Sequence, residues 1–127
     1  MPMYQPEIET MPQDQIRAHQ SKLLVQQVRN VYDNVPYYRA KMEAKGITPD
    51  DIHGLEDLHK LPFLSKNDLR EAYPYGLLAR PLKDCVRIQS TSGTTGRRVV
   101  AFYTQHDLDL WEDCCARAIV AAGGTDE

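Results

Sequence analysis

Three short stretches of this chain repeat one pattern, and that pattern fixes where helices must begin. "ITPDDI" places Thr48 as an N-cap, Pro49 at the first helical position and Asp51 at the third, with Ile47 and Ile52 flanking. "LSKNDL" repeats the logic with Ser65, Asp68 and the apolar pair Leu64 and Leu69. "YTQHDL" does so again with Thr104, Asp107, Tyr103 and Leu108. The cap oxygen accepts from a backbone N–H that has no partner inside the helix, and the acid stands at the positive helix end. Each cap contributes about 1 kcal/mol. Helices are therefore predicted to start near 49, 66 and 105.

The rest of the chain fills in around these starts. Residues 1–12 carry Pro2, Pro6 and Pro12 with little periodicity and read as an extended arm. From Gln13 to Val35 the pattern is helical, with Leu24, Val28, Val31 and Val35 on one stripe. Pro36 suits the first position of a short helix to Lys45, and Gly46 can end it in a left-handed conformation. "AYPYGLLARPLKD" is broken by Pro74, Gly76 and Pro81 and reads as an irregular connector. "CVRIQ" (85–89) and "VVAFYT" (99–104) are short and β-rich. A last helix is predicted over 105–122, with Leu108, Trp111, Cys115, Ala118 and Ala122 on its apolar stripe, ended by Gly123 and Gly124. That stripe makes Trp111 a core residue first and a pocket-lining one second.

Between the two β-rich runs lies "QSTSGTTGRR" (89–98), which is nearly all small residues until its two arginines. Glycines let backbone approach a ligand closely, and successive N–H groups in such a turn form an anion-binding nest. The hydroxyls of Ser92, Thr94 and Thr95 add short donors without bulk. Arg97 or Arg98 supplies charge, and a guanidinium matches phosphate geometry. The stretch can therefore cradle a polyphosphate. A polar hairpin loop with no ligand is the other reading of the same composition. It is neither a Walker loop nor a G-x-G-x-x-G turn, because Gly93 and Gly96 are wrongly spaced and no lysine follows.

Composition narrows the function classes. Of 127 residues, 42% are hydrophobic and 26% charged, the balance of a globular domain rather than a disordered one. A formal charge of −3 does not make a nucleic-acid or membrane surface. No apolar run approaches the ~20 residues of a spanning helix, and the first residues have no signal-peptide pattern. Cys85, Cys114 and Cys115 form no disulfide framework and, with four scattered histidines, no metal-ligand spacing. They read as buried thiols in a reducing, cytoplasmic setting.

"TSGTTG" followed by a cation resembles the phosphate-loop signature of adenylate-forming enzymes, the acyl-CoA synthetase superfamily. "VYDNVPYYRAKMEAKGITPDDI", "LEDLHKLPFLSKNDLREAYPYGL", "VRIQSTSGTTG" and "YTQHDLDLWEDCCARAIVAAG" narrow the resemblance to the N-terminal part of phenylacetate-CoA ligase, from about Leu23 to Gly124. The resemblance implies an α/β fold: a helical N-terminal segment, then a β-hairpin phosphate loop and a helix, within the large N-terminal domain of such an enzyme. Residues 1–12 would be an arm and 13–127 an incomplete portion of the adenylation domain, with the C-terminal lid domain absent.

The implied chemistry joins ATP, an aromatic carboxylic acid and coenzyme A, with Mg2+ as cofactor. Thr91, Ser92, Gly93, Thr94, Thr95 and Gly96 would hold the β- and γ-phosphates, and Arg97 would be the cation. Two positions depart from the family pattern. Arg97 and Arg98 stand where Lys-Pro is usual, which keeps charge and loses a rigid ring. Tyr75 replaces Phe in Tyr-Pro-Phe-Gly, through either a different acyl group or a packing change. The family's acidic magnesium ligand, ribose-binding aspartate and catalytic lysine are expected beyond position 127, so the chain alone is expected to be inactive. A homodimer is the one protein partner the resemblance leaves open. A non-catalytic helical interaction module derived from such a ligase is the rival reading.

Overall fold

The computed structural model describes residues 2–93, 96 and 98–125. Among the described residues, five α-helices, three 3-10 turns and one hairpin follow one another: α1 (Pro6–Glu9), α2 (Gln13–Asn34), α3 (Pro36–Ala44), turns at Pro49–Asp51 and Leu55–Lys60, α4 (Lys66–Glu71), a turn at Leu82–Asp84, β1 (Cys85–Ser90), β2 (Val100–Thr104) and α5 (Gln105–Ala121). The arm is not wholly extended. Pro6 opens the single turn of α1, and the Glu9 carboxylate accepts from the Tyr4 and Gln5 backbone N–H groups at 2.9 and 2.8 Å. A glutamate reaching back over the first turn satisfies donors that a four-residue helix otherwise leaves open.

All three predicted helix starts are capped by their acid. Ser65 with Asp68 and Thr104 with Asp107 exchange bonds in both directions, and at Thr48 the Asp51 carboxylate accepts from the Thr48 backbone N–H and hydroxyl at 2.7 and 2.9 Å. The first begins only a 3-10 turn, because Ile52 returns to extended backbone. α3 ends as its sequence requires, with Gly46 at φ +69°. α2 hands over to α3 at Val35 without a gap, and Arg39 closes the join. Its Nε and Nη2 donate to the Tyr32 and Asp33 carbonyls at 2.6 and 2.7 Å, which the end of α2 would otherwise leave unpaired.

The core lies among these N-terminal elements. Val28 of α2, Met42 of α3 and Ile52 are buried together, with Leu24, Tyr32, Tyr38, Ile47 and Leu61 packed around them. Asp57 is the buried polar group among the described residues. The Lys60 ammonium at 2.7 Å and the His53 backbone N–H at 2.8 Å hold its carboxyl at a pKa of about 2.

A second polar cluster ties α3 to α4. Tyr37 donates to Asp68 at 2.8 Å and to Glu71 at 3.2 Å, while Lys41 pairs with Asp68 at 2.5 Å. Lys41 and the Ser65 cap depress the Asp68 carboxyl, and the hydrogen bond to Asp68 raises the Tyr37 phenol above 10.0. Depressed acids stabilise above their unfolded value and lose that contribution as pH falls through the folded one; a raised phenol stabilises below 10.0 and loses it above. Chemical-denaturation midpoints should therefore fall between pH 4 and 2, where Asp57 titrates from an unfolded 3.8 to about 2. They should fall again above pH 10, where the raised phenols of Tyr37, Tyr32 and Tyr38 titrate, and Tyr37→Phe should shrink that alkaline fall while also weakening the acid limb through the lost hydrogen bond to Asp68. A flat acid limb would show that these carboxylates are not engaged.

β1 and β2 pair antiparallel in a two-stranded sheet, with Ile88 opposite Phe102, Gln89 opposite Ala101 and Ser90 opposite Val100. A bulge between Cys85 and Arg87 shifts the register at the start of β1. Tyr75 of the connector reaches Phe102 on one face of the hairpin, and Trp111 of α5 reaches Tyr103 of β2, with ring centroids 5.6 and 5.5 Å apart.

Candidate functional site

The hairpin presents the small-residue loop at its tip. Thr91 and Val99 close it: the Thr91 N–H donates to the Val99 carbonyl at 3.0 Å, and the Val99 N–H donates to the Thr91 hydroxyl oxygen at 3.1 Å. Thr91 is therefore a clamp at the loop's base. Its backbone N–H is committed to Val99. Its hydroxyl hydrogen is still able to donate, because the oxygen is the acceptor in that bond.

Beyond the clamp the backbone turns left-handed at two glycines, Gly93 with φ +70° and Gly96 with φ +129°. A side chain is strained at either. Ser92 and Gly96 are exposed and Gly93 is half-buried. Thr94, Thr95 and Arg97, expected to share the ligand, lie outside the described residues. Arg98 is described, and its stem crosses Gly93: a Cβ built there would meet Arg98 Cγ at 2.7 Å and the Gly96 carbonyl at 3.3 Å. Among the described residues, the Arg98 stem lies over Gly93. The composition leaves Arg97 or Arg98 open as the cation and the resemblance implies Arg97; of the two, Arg98 lies within the described residues.

A shallow cavity of about 390 Å³ opens on the hairpin face below the tip, lined by Gln89, Ser90, Thr91, Val99, Ala101 and Tyr103. The opposite face borders a cleft of about 810 Å³ between α2, the connector and α5. Trp111 is not buried as its stripe suggested. It is 43% exposed, and of that stripe's register only Leu108 is buried. Cys114 and Cys115 are exposed as well, contrary to the reading of buried thiols. The reason is that, among the described residues, α5 packs chiefly on β2.

Among the described residues, no group of three or more His, Cys, Asp or Glu can hold a metal ion. The magnesium expected from the resemblance therefore has no fitting ligand set in the described part of this chain. No helix is long and apolar enough to cross a membrane.

No protein-family model matches the chain. Individual proteins do. It is 45% identical over 121 residues to a phenylacetate-coenzyme A ligase of Thermus thermophilus, covering 95% of this chain and 27% of that protein. The corresponding ligases of Pseudomonas putida and Escherichia coli are 48% and 45% identical over 92% and 93% of this chain. Among solved structures, a 2-hydroxyisobutyryl-CoA ligase in complex with 2-HIB-AMP and CoA superposes with a TM-score of 0.79 at 30% identity, covering 88% of this chain and 25% of that one. The same ligase with R3-HIB-AMP gives a TM-score of 0.82 at 26% identity. The sequence motifs, the hairpin and the alignment over 92–95% of this chain agree: it belongs to the phenylacetate-coenzyme A ligase family, spanning about a quarter (27%) of the length of the curated relatives it matches.

Proposed function

We propose that this chain supplies the phosphate-gripping loop of an ATP-dependent phenylacetate-coenzyme A ligase. In that reaction a carboxylate attacks the α-phosphate of ATP, forming an acyl-adenylate and releasing pyrophosphate; the coenzyme A thiolate then displaces AMP. Thr91, Ser92, Gly93, Thr94, Thr95 and Gly96 surround the β- and γ-phosphates, with Arg97 and Arg98 as the cations. Residues 13–127 are then one portion of an adenylation domain, and 1–12 its leading arm. The observation that carries the reading is a group of neighbours in the sequence: Gly93 and Gly96 are left-handed, Ser92 is exposed, and the Arg98 stem lies over Gly93. Donors fixed in advance around a charged leaving group stabilise it as charge develops. Magnesium, when bound, would neutralise phosphate charge; the described residues offer it no ligand set, and no step here runs through it. The similarity to whole ligases favours this reading over a stand-alone interaction module.

The test is a chimera in which this chain replaces the aligned stretch of the Thermus thermophilus relative. Phenylacetate-dependent ATP–pyrophosphate exchange is expected from the chimera and not from the 127-residue chain alone. A folded chimera that binds ATP and shows no exchange would remove the reading.

A further inference from the structure

We infer, resting on the reading of this loop as the phosphate grip, that Arg98 is its positioning residue. The aliphatic stem, laid over Gly93, holds the backbone of Ser92 and Gly93 on the path from which it meets the nucleotide. Stem and charge then do separate work.

Gly93 is half-buried, while Thr91, Ser92, Gly96 and Arg98 around it in the sequence are exposed. The cover over the glycine is identifiable. A Cβ built there would lie 2.7 Å from Arg98 Cγ, 3.3 Å from the Gly96 carbonyl oxygen and 3.5 Å from Arg98 Nε. The closest of these atoms is near the root of the arginine. Its position is set by the backbone at 98 and a single staggered torsion. That backbone is anchored in turn. Arg98 immediately precedes Val99, whose N–H and carbonyl are both bonded to Thr91. Gly93 stands two residues beyond Thr91 on the other side of the same clamp. The stem therefore reaches Gly93 from a fixed point.

A glycine needs such a neighbour. It loses more conformational freedom on ordering than any other residue, and at φ +70° it has no side chain of its own to pack. Nor does a proline ring stiffen the chain at 98. The arginine methylenes supply the missing contact. Among the described residues the Arg98 guanidinium forms no ion pair, so its charge is available to an anion while its stem packs. Long basic side chains routinely divide in this way. A stem ordered beforehand also lowers the entropy lost when the head meets a phosphate.

A substitution cycle in the Thermus thermophilus chimera tests the contact. Gly93→Ala should lower kcat/KM for ATP–pyrophosphate exchange about a hundredfold. About tenfold of that is the strain of a side chain at positive φ, and about tenfold is the collision with Arg98 Cγ. Arg98→Ala removes Cγ, and in that background Gly93→Ala should cost only about tenfold. Arg98→Met keeps Cγ and removes the charge. There the cost should return to about a hundredfold, while KM for ATP rises. Non-additivity of this kind reports direct coupling between touching residues. Equal cost in all three backgrounds would overturn the inference. Relief in the Arg98→Met background as well would assign the coupling to charge and overturn it too. Deuterium uptake by residues 89–98 of the nucleotide-free chimera gives a second readout that needs no turnover. It should quicken about fivefold in Arg98→Ala and stay at the parental rate in Arg98→Met. A folded parental chimera without ATP–pyrophosphate exchange sinks the phosphate reading, and uptake then still decides the stem: equal rates in the two variants refute it.

Discussion

In the chimera, Gly93→Val will lower phenylacetate-dependent ATP–pyrophosphate exchange by about a thousandfold, and Ser92→Ala by about tenfold to a hundredfold. The larger effect has two physical sources. Valine is β-branched and strongly disfavoured at positive φ, and Gly93 is at +70°. Its Cβ would also meet the Arg98 stem at 2.7 Å, and that contact is near the root of the side chain, where little give is available. The tip must unwind, and every donor it aims at the phosphates moves together. Losing a single preorganised donor costs about 10²–10³ in kcat in acyl-transfer enzymes, so losing several at once costs at least the upper figure. Ser92→Ala removes one hydroxyl and leaves the backbone path intact. Thr91→Ser keeps the hydroxyl that clamps Val99 and should leave exchange nearly unchanged. Measured kcat and KM for ATP decide the matter. Gly93→Val exchanging at the parental rate would show that the loop grips nothing in the reaction.

The loop's composition left a phosphate cradle and a plain polar hairpin loop both open, and the division of labour within it was not legible at all. Nothing in the string says that Thr91 spends its N–H on Val99, since that depends on which residue faces which across the hairpin. The same holds for Arg98. Its approach to Gly93 is a consequence of the chain reversing at a left-handed glycine, and a one-dimensional reading ranks two adjacent arginines by precedent alone. Trp111 misled for the opposite reason. A 3-4-3-4 spacing reports the face a helix can bury, and here, among the described residues, α5 packs chiefly on β2 and leaves Trp111 43% exposed.

Helix boundaries were the most legible part of the fold. A capping box is a local device, complete within four residues, so Thr48, Ser65 and Thr104 signal their helices without reference to anything distant. Gly46 is equally local. The turn at Leu55–Lys60 was not foreseen, because its anchor is the buried Asp57 carboxylate bonding to His53 and Lys60, a sequence pattern shared with any charged surface loop. Met42 also escaped notice. One apolar residue in a short polar helix has no period to betray it, yet it is the most buried side chain described.

That burial makes Met42→Ala the substitution with the largest expected cost in stability. Met42 has no measurable exposure, and it is shared by α2, α3 and the segment carrying Ile52. Truncating such a side chain removes its transfer free energy and leaves a void that close packing cannot refill, typically 2–5 kcal/mol together. A globular domain has only about 5–15 kcal/mol to lose, so the variant should sit near the edge of folding at 37 °C. Met42→Leu conserves volume and should cost less than about 1.5 kcal/mol. Phe63→Ala, at a side chain 95% exposed, should stay within about 0.5 kcal/mol of the parent. Urea midpoints for the three variants provide the comparison. If Met42→Ala unfolds no earlier than Phe63→Ala, the cluster around Met42 is not what holds the helical half together. In the chimera the same substitution should shorten thermal survival while leaving kcat per folded molecule unchanged, because the described contacts of Met42 lie among the helices and none is to the hairpin that carries the loop.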